Sequence, residues 1–220
     1  MANIRRHLIS RRLWLALAVA LPGLGAELPQ RRSEFTVFAA DPVSGVAFSS
    51  HADAEPVTLQ FYPTARSPVY SYVGRDPITF CDRETGEVVA EVRPPADLRR
   101  ALFLFSALPQ RGADGLRYRV QVLEDSEQHM PAGTLVILNA SGLELSGVID
   151  GRTLTLREGL NEPSRVGETA EVLLQTRFRG RVFQSFADKI SLGPTGRALL
   201  ILLPPYRPGT LEVQFRLLQN

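Results

Sequence analysis

The chain of 220 residues has one cysteine, Cys81, and one tryptophan, Trp14. A single thiol cannot form an internal disulfide, so stability must come from a buried core. Cys81 lies in the apolar stretch Ile78-Thr79-Phe80-Cys81, which reads as a small buried hydrophobe rather than a reactive thiol. Lysine is nearly absent as well: Lys189 is the only one among 25 basic side chains. No stretch of about 11 residues or more keeps a 3.6-residue apolar period, which argues against amphipathic helices. Local catalytic motifs are missing too. There is no G-x-x-x-x-G-K, no G-x-S-x-G, no H-E-x-x-H and no C-x-x-C. Their absence excludes the phosphate loops, nucleophile elbows, zinc helices and dithiol centres that announce themselves by spacing. The run Asn139-Ala140-Ser141-Gly142 lacks the first glycine of an elbow, and its N-x-S sequon reads as a turn between strands.

What is present begins at the amino end. Arg5, Arg6, Arg11 and Arg12 precede the apolar run LWLALAVAL over 13–21, and Pro22-Gly23-Leu24-Gly25-Ala26 follows. That order is a secretory signal peptide over residues 1–26, with cleavage after Gly25 or Ala26. The run is far shorter than the roughly 20 residues of a membrane-spanning helix, so only a retained signal would hold the chain in a membrane. No cysteine follows it, which excludes a lipoprotein signal. Ser10-Arg11-Arg12-Leu13-Trp14-Leu15 resembles the twin-arginine motif S-R-R-x-F-L-K, with Trp14 for Phe and Ala16 for Lys. The resemblance implies export in the folded state; an ordinary export signal with generic arginines is the alternative.

The signal also changes the charge. The whole chain carries 25 basic and 23 acidic side chains. Residues 1–26 hold four arginines and no acid, so the remainder has 21 against 23 and a net charge of −2. The sequence pI near 9.0 belongs largely to the signal. Nucleic acid is therefore not an expected partner, since that function needs a basic patch on the folded domain.

After residue 26 the chain is rich in β-branched and aromatic residues and punctuated by Pro and Gly. Candidate strands are 35–38, 46–49, 57–62, 69–73, 78–81, 88–92, 102–107, 118–124, 134–139, 143–149, 153–157, 170–176, 180–186, 198–203 and 211–217. Only 96–104 (ADLRRALFL) passes for a short helix. Asp150-Gly151 predicts a two-residue hairpin between its flanking strands, and Arg179-Gly180 a second. Residues 198–203 (ALLILL) are apolar at every position and predict a central strand covered on both faces. The Pro/Gly-rich stretch 109–115 (PQRGADG) is taken as a linker. It divides an amino-terminal module over 27–108 from a carboxy-terminal module over 116–220, each of a size for one immunoglobulin-like β-sandwich. One larger sandwich is the other arrangement, and no internal repeat is evident.

Metal chemistry has two places to be. His51, Asp53 and Glu55 (H-A-D-A-E) would line one face of an extended chain, and Glu127 and His129 (E-Q-H) repeat the spacing. Two such faces would suit zinc or another divalent ion; a solvated loop is the plainer reading of both. A copper site built on His51, Cys81, His129 and Met130 is excluded by spacing, because Cys81 and His129 are far apart in the chain. No cofactor is expected, and no catalytic residue is assigned.

Residues 130–160 carry a P-x-G turn, a strand ending in N-x-S, a D-G hairpin and an E-G turn. This rhythm resembles that of uncharacterised exported β-sandwich proteins of bacteria. It is also distantly similar to small modules of alginate-acetylation accessory proteins. The resemblance implies an exported β-sandwich and carries over no catalytic residue. The expectation is an exported, periplasmic or extracellular all-β protein, non-catalytic, with a binding or structural role. Its expected partners are envelope polysaccharide or another envelope protein. The alternative is a metal protein or enzyme built around His51 and His129.

Overall fold

The computed structural model describes residues 30–112, 114–193 and 196–219. The signal-like segment lies outside them. The described residues are all-β and contain no helix. In chain order the strands are β1 (Arg31–Ala39), β2 (Val46–Phe48), β3 (Val57–Thr58), β4 (Tyr70–Gly74), β5 (Ile78–Asp82), β6 (Val88–Val92), β7 (Arg100–Ala107) and β8 (Tyr118–Glu124). There follow β9 (Thr134–Asn139), β10 (Leu145–Ile149), β11 (Arg152–Leu156), β12 (Gly159–Leu160), β13 (Ser164–Arg165), β14 (Thr169–Phe178), β15 (Arg181–Ser191), β16 (Ala198–Leu203) and β17 (Gln214–Gln219).

Four sheets result. Residues 31–124 build the orders β4-β1-β7-β8 and β3-β2-β5-β6; residues 134–219 build β12-β9-β16-β17 and β11-β10-β14-β15. Alternation along each strand explains the layers. In β1, Phe35, Val37 and Ala39 point into one core with Phe48, Phe80, Phe103 and Phe105. Its Phe38 points the other way, where Leu102, Leu104 and Leu123 meet Val136, Leu138, Leu199, Ile201 and Leu218. In β16, Ala198, Leu200 and Leu202 join a further core with Leu135, Ile137, Leu145, Val172 and Leu174. The two inner sheets therefore pack on each other, and the order through the molecule is sheet, core, sheet, shared core, sheet, core, sheet. ALLILL is covered on both faces, as its unbroken apolarity requires.

The two pairs of sheets repeat one topology. β1 runs parallel to β7, which pairs antiparallel with β8; β9 runs parallel to β16, which pairs antiparallel with β17. β2, β3, β5 and β6 have the same pairings as β10, β11, β14 and β15. The broken edge β12–β13 stands where β4 stands. Registers place Phe35 with Leu135, Leu102 with Leu199, and Leu123 with Leu218 as equivalents. The chain thus holds an internal repeat that its sequence conceals. The equivalent faces of the two halves pack together, as in a two-fold isologous contact.

Several expectations change. The stretch 109–115, read above as a linker, lies between β7 and β8, which pair antiparallel, with Leu108 N–H donating to Arg117 O at 2.9 Å. The passage between the halves is 125–133 instead. Pro and Gly mark a turn of either kind, and nothing local distinguishes a hairpin from a boundary. The stretch 96–104 is not helical: Leu98 N–H closes a turn on Pro95 O, and β7 starts at Arg100. Strand order also departs from the immunoglobulin-like pattern, in which the first two strands share a sheet; here β1 and β2 belong to different sheets. Of 57–62 only Val57–Thr58 is strand.

The halves are also joined by charge. Asp125, 2% exposed at its side chain, accepts two bonds from Arg66 at 3.0 and 3.1 Å. Arg197 approaches it at 3.7 Å and donates to Met130 O at 3.1 Å. Burial pushes the Arg197 guanidinium below its ordinary pKa, and Asp125 opposes that shift. Arginine stays charged regardless, so the carboxylate neutralises a cation that cannot shed its proton.

Candidate functional site

His51, Asp53 and Glu55 are exposed in the connection between β2 and β3. Ala54 N–H donates to His51 O at 3.1 Å, so the segment turns and its alternate residues do not share an extended face. Glu127 and His129 are exposed in the passage 125–133, where His129 N–H and Met130 N–H both bond Ser126 O. Ser50 O is held by Val73 of β4, whereas Glu124 ends β8. These strands are the two edges of one sheet, three strand spacings or roughly 14 Å apart. Among the described residues no three of His, Cys, Asp and Glu gather. The structure brings none of the four metal candidates to another from the other loop.

A different small cluster does form. Glu124 Oε1 accepts from Ser126 Oγ at 2.8 Å and lies 2.8 Å from His129 Nδ1; Ser126 Oγ is 3.3 Å from that same nitrogen. A serine–histidine–carboxylate nucleophile needs the hydroxyl and the carboxylate on opposite ring nitrogens. Here both crowd Nδ1, so the three groups order a turn and do not form that relay. Cys81 is half-buried, and burial raises its thiol pKa, which disfavours the nucleophilic thiolate at neutral pH. Asn139, 2% exposed, is equally committed. Its Oδ1 accepts from Ser141 N–H and Oγ at 3.2 and 2.6 Å, and its Nδ2 donates to Leu143 O at 3.1 Å. The sequon is a side-chain-laced turn with no free amide for glycosylation.

A continuous concave surface lies on the second half. Three depressions of about 420, 320 and 390 Å³ adjoin along β11. The first and second share Thr155, Leu156 and Arg157; the second and third share Leu154, Pro163 and Ser164. They form one trough. Its walls are β11, the edge of one sheet, and the segment 159–165, the broken edge of the other. The trough exists because β12 and β13 together replace a continuous edge strand. Asn161 spans the break, its Oδ1 accepting from Arg157 N–H at 2.8 Å and its Nδ2 donating to Arg157 O at 3.0 Å. Arg152, Arg157, Arg165, Glu144, Glu158 and Glu162 give the rim both signs of charge.

The position of β11 follows from its turn. Asp150 and Gly151 adopt φ of +48° and +76°, the left-handed pair of a type I′ hairpin, and Ile149 pairs with Arg152. In a two-residue hairpin that closing pair is hydrogen-bonded, and bonding pairs then alternate. Leu154 and Leu156 therefore bond inward to β10, while Thr153 and Thr155 turn their main-chain groups outward. The sequence announced the hairpin but not the trough. A signal was available in Pro163, which cannot donate to a ladder and so interrupts an edge strand.

No family model matches this chain and no curated protein matches it.

Proposed function

We propose that this is a non-catalytic exported protein of the bacterial cell envelope, with a binding or structural role in the periplasm or outside the cell. The trough beside β11 carries this reading. A free strand edge offers main-chain donors and acceptors to an extended partner, and flanking depressions accept its side groups. The mixed-charge, hydroxyl-bearing lining suits hydrogen bonding to another envelope polypeptide or to a polysaccharide. The amino-terminal order of arginines, apolar run and small residues supports export, and the resemblance of 130–160 to exported bacterial sandwiches agrees with it.

Thr155→Pro tests the proposal. It removes an outward N–H without touching the β10 ladder, because proline lacks only its own donor. The full chain, produced in a bacterial host, is expected in the periplasmic fraction and bound to lipid-extracted envelope material. The variant should bind about ten-fold more weakly, a change of roughly 1.4 kcal/mol, with an unchanged circular dichroism spectrum. Cytoplasmic recovery sinks the proposal. So does a stoichiometric metal lost on His51→Ala, or binding indifferent to the proline.

A further inference from the structure

The hairpin of β14 and β15 outgrows its sheet. β10 pairs only with Val172–Gln175 of β14, and the buried Thr176 still bonds Glu144 O through its Oγ1 at 2.8 Å, so residues 177–183 overhang as a two-stranded ribbon. On this overhang Phe178, Val182 and Phe183 are 48%, 55% and 38% exposed. Arg177, Arg179 and Arg181 are exposed among them. No acidic residue occurs between Glu171 and Asp188, in a chain that is otherwise slightly acidic after residue 26. Cross-strand pairs set Arg177 beside Val182 and Phe178 beside Arg181, so cations and apolar groups share each face. The Arg179 guanidinium sits 5.1 Å from the Phe178 ring centroid.

A second loop stands at the same end. Val213 N–H donates to Ser185 O at 3.0 Å, and Phe215 meets Phe186 edge-on at 5.1 Å. These contacts bring the β16–β17 connection alongside, with Tyr206 at 82% exposure and Arg207 next to it. Tyr206 and Val182 are the two most exposed large hydrophobic residues among those described.

We propose that this end of the second sandwich, led by the Arg177–Phe183 ribbon, docks on the surface of an anionic lipid bilayer. Guanidinium groups bond lipid phosphates in bidentate fashion and bury their stems beside apolar surface. Aromatic side chains settle at the depth of the headgroups. The ribbon pairs alternate main-chain groups by its own cross-strand bonds, and the outward ones meet headgroups and their water at the interface. Two residues per strand at about 3.4 Å each reach roughly 7 Å, within the depth of the headgroup and acyl boundary. The apolar residues are what favour lipid over a soluble polyanion. Val182 and Phe183 offer nothing to a hydrated anionic polymer, which would need only the arginines.

Vesicle flotation of the full chain tests this. Binding to vesicles containing phosphatidylglycerol is expected to exceed binding to pure phosphatidylcholine and to fall with salt. Replacing Arg177, Arg179 and Arg181 together by Ser should weaken it about 100-fold, and replacing Phe178, Val182 and Phe183 by Ser should also weaken it. A site-specific readout separates the ribbon from the rest of the chain. In a Cys81→Ser background, an environment-sensitive dye at Val182→Cys should shift to the blue on anionic vesicles, and one at Thr153→Cys should not. No shift at residue 182 overturns the proposal. Binding to heparin with equal strength, untouched by the apolar replacements, overturns it in favour of a charge-only polyanion site. Binding lost only with Thr155→Pro would place the contact in the trough instead.

Discussion

The two sandwiches share a connectivity and differ in what fills them. The first is packed with rings: Phe35, Phe48, Phe80, Phe103 and Phe105 are buried together, with centroids 4.7–6.5 Å apart. The second is aliphatic, with Phe186 its one buried ring. At equivalent places the first half has Phe35, Phe103 and Phe105 where the second has Leu135, Leu200 and Leu202. Strand order survives this exchange because it depends on alternation and turns, while the interior needs only matched volume at native density. The shared core teaches the converse. There Leu102 and Leu199, Leu104 and Ile201, and Leu123 and Leu218 are alike in kind, while Phe38 against Leu138 is the exception.

The contrast can be broken most strongly at the cores. Phe103→Ala should cost about 3–5 kcal/mol, and Leu200→Ala about 2–5 kcal/mol at the low end of that range, because rings leave the larger void. Urea unfolding of both variants measures this, and equal costs would remove the distinction between the fillings. Asp125→Ala should cost about 3 kcal/mol or more, since it leaves Arg66 and Arg197 buried without a counter-charge. A loss confined to one half, seen as a split unfolding transition, would show that the ion cluster does not bind the halves together.

Gly151→Ala should cost about 1 kcal/mol through its left-handed φ of +76°. The first half has no equivalent tight turn, because residues 49–56 connect β2 to β3 there. Thermal denaturation would report the difference. The smallest effect belongs to Asp82. Thr85 N–H, Arg117 and Glu84 N–H hold its carboxyl down at about 2, against an ordinary 3.8. A depressed carboxyl stabilises above its unfolded pKa and loses that contribution as pH falls through the folded value. The stability gap between wild type and Asp82→Asn should therefore be constant above about pH 4 and close near pH 2. A gap that persists at pH 2 would mean that the carboxylate's charge is not its source.

Strands with strong local signals were legible. Asp150-Gly151 declared its hairpin through turn chemistry, and ALLILL declared two-sided burial through the loss of alternation. The repeat was not, because it is a property of register. Arg100-Ala-Leu-Phe-Leu and Arg197-Ala-Leu-Leu-Ile are the one pair of segments in which it surfaces as sequence. Two-residue spacing implies a shared face only in an extended chain, and 51–54 turns. The trough arises from a strand that stops and restarts. The basic ribbon was visible as a hairpin, yet its overhang depends on where β10 ends.

One consequence follows from the double-faced inner sheets. During synthesis the first sandwich is complete at Glu124, well before β16 and β17 have been made. Until those last strands arrive, Phe38, Leu102 and Leu104 stand wet on an apolar wall. The nascent chain is thus stickiest when it is half-made, and a chain ending before Ala198 keeps that wall uncovered for good. Holding factors that shield apolar surface should bind such truncated chains and release the full-length one.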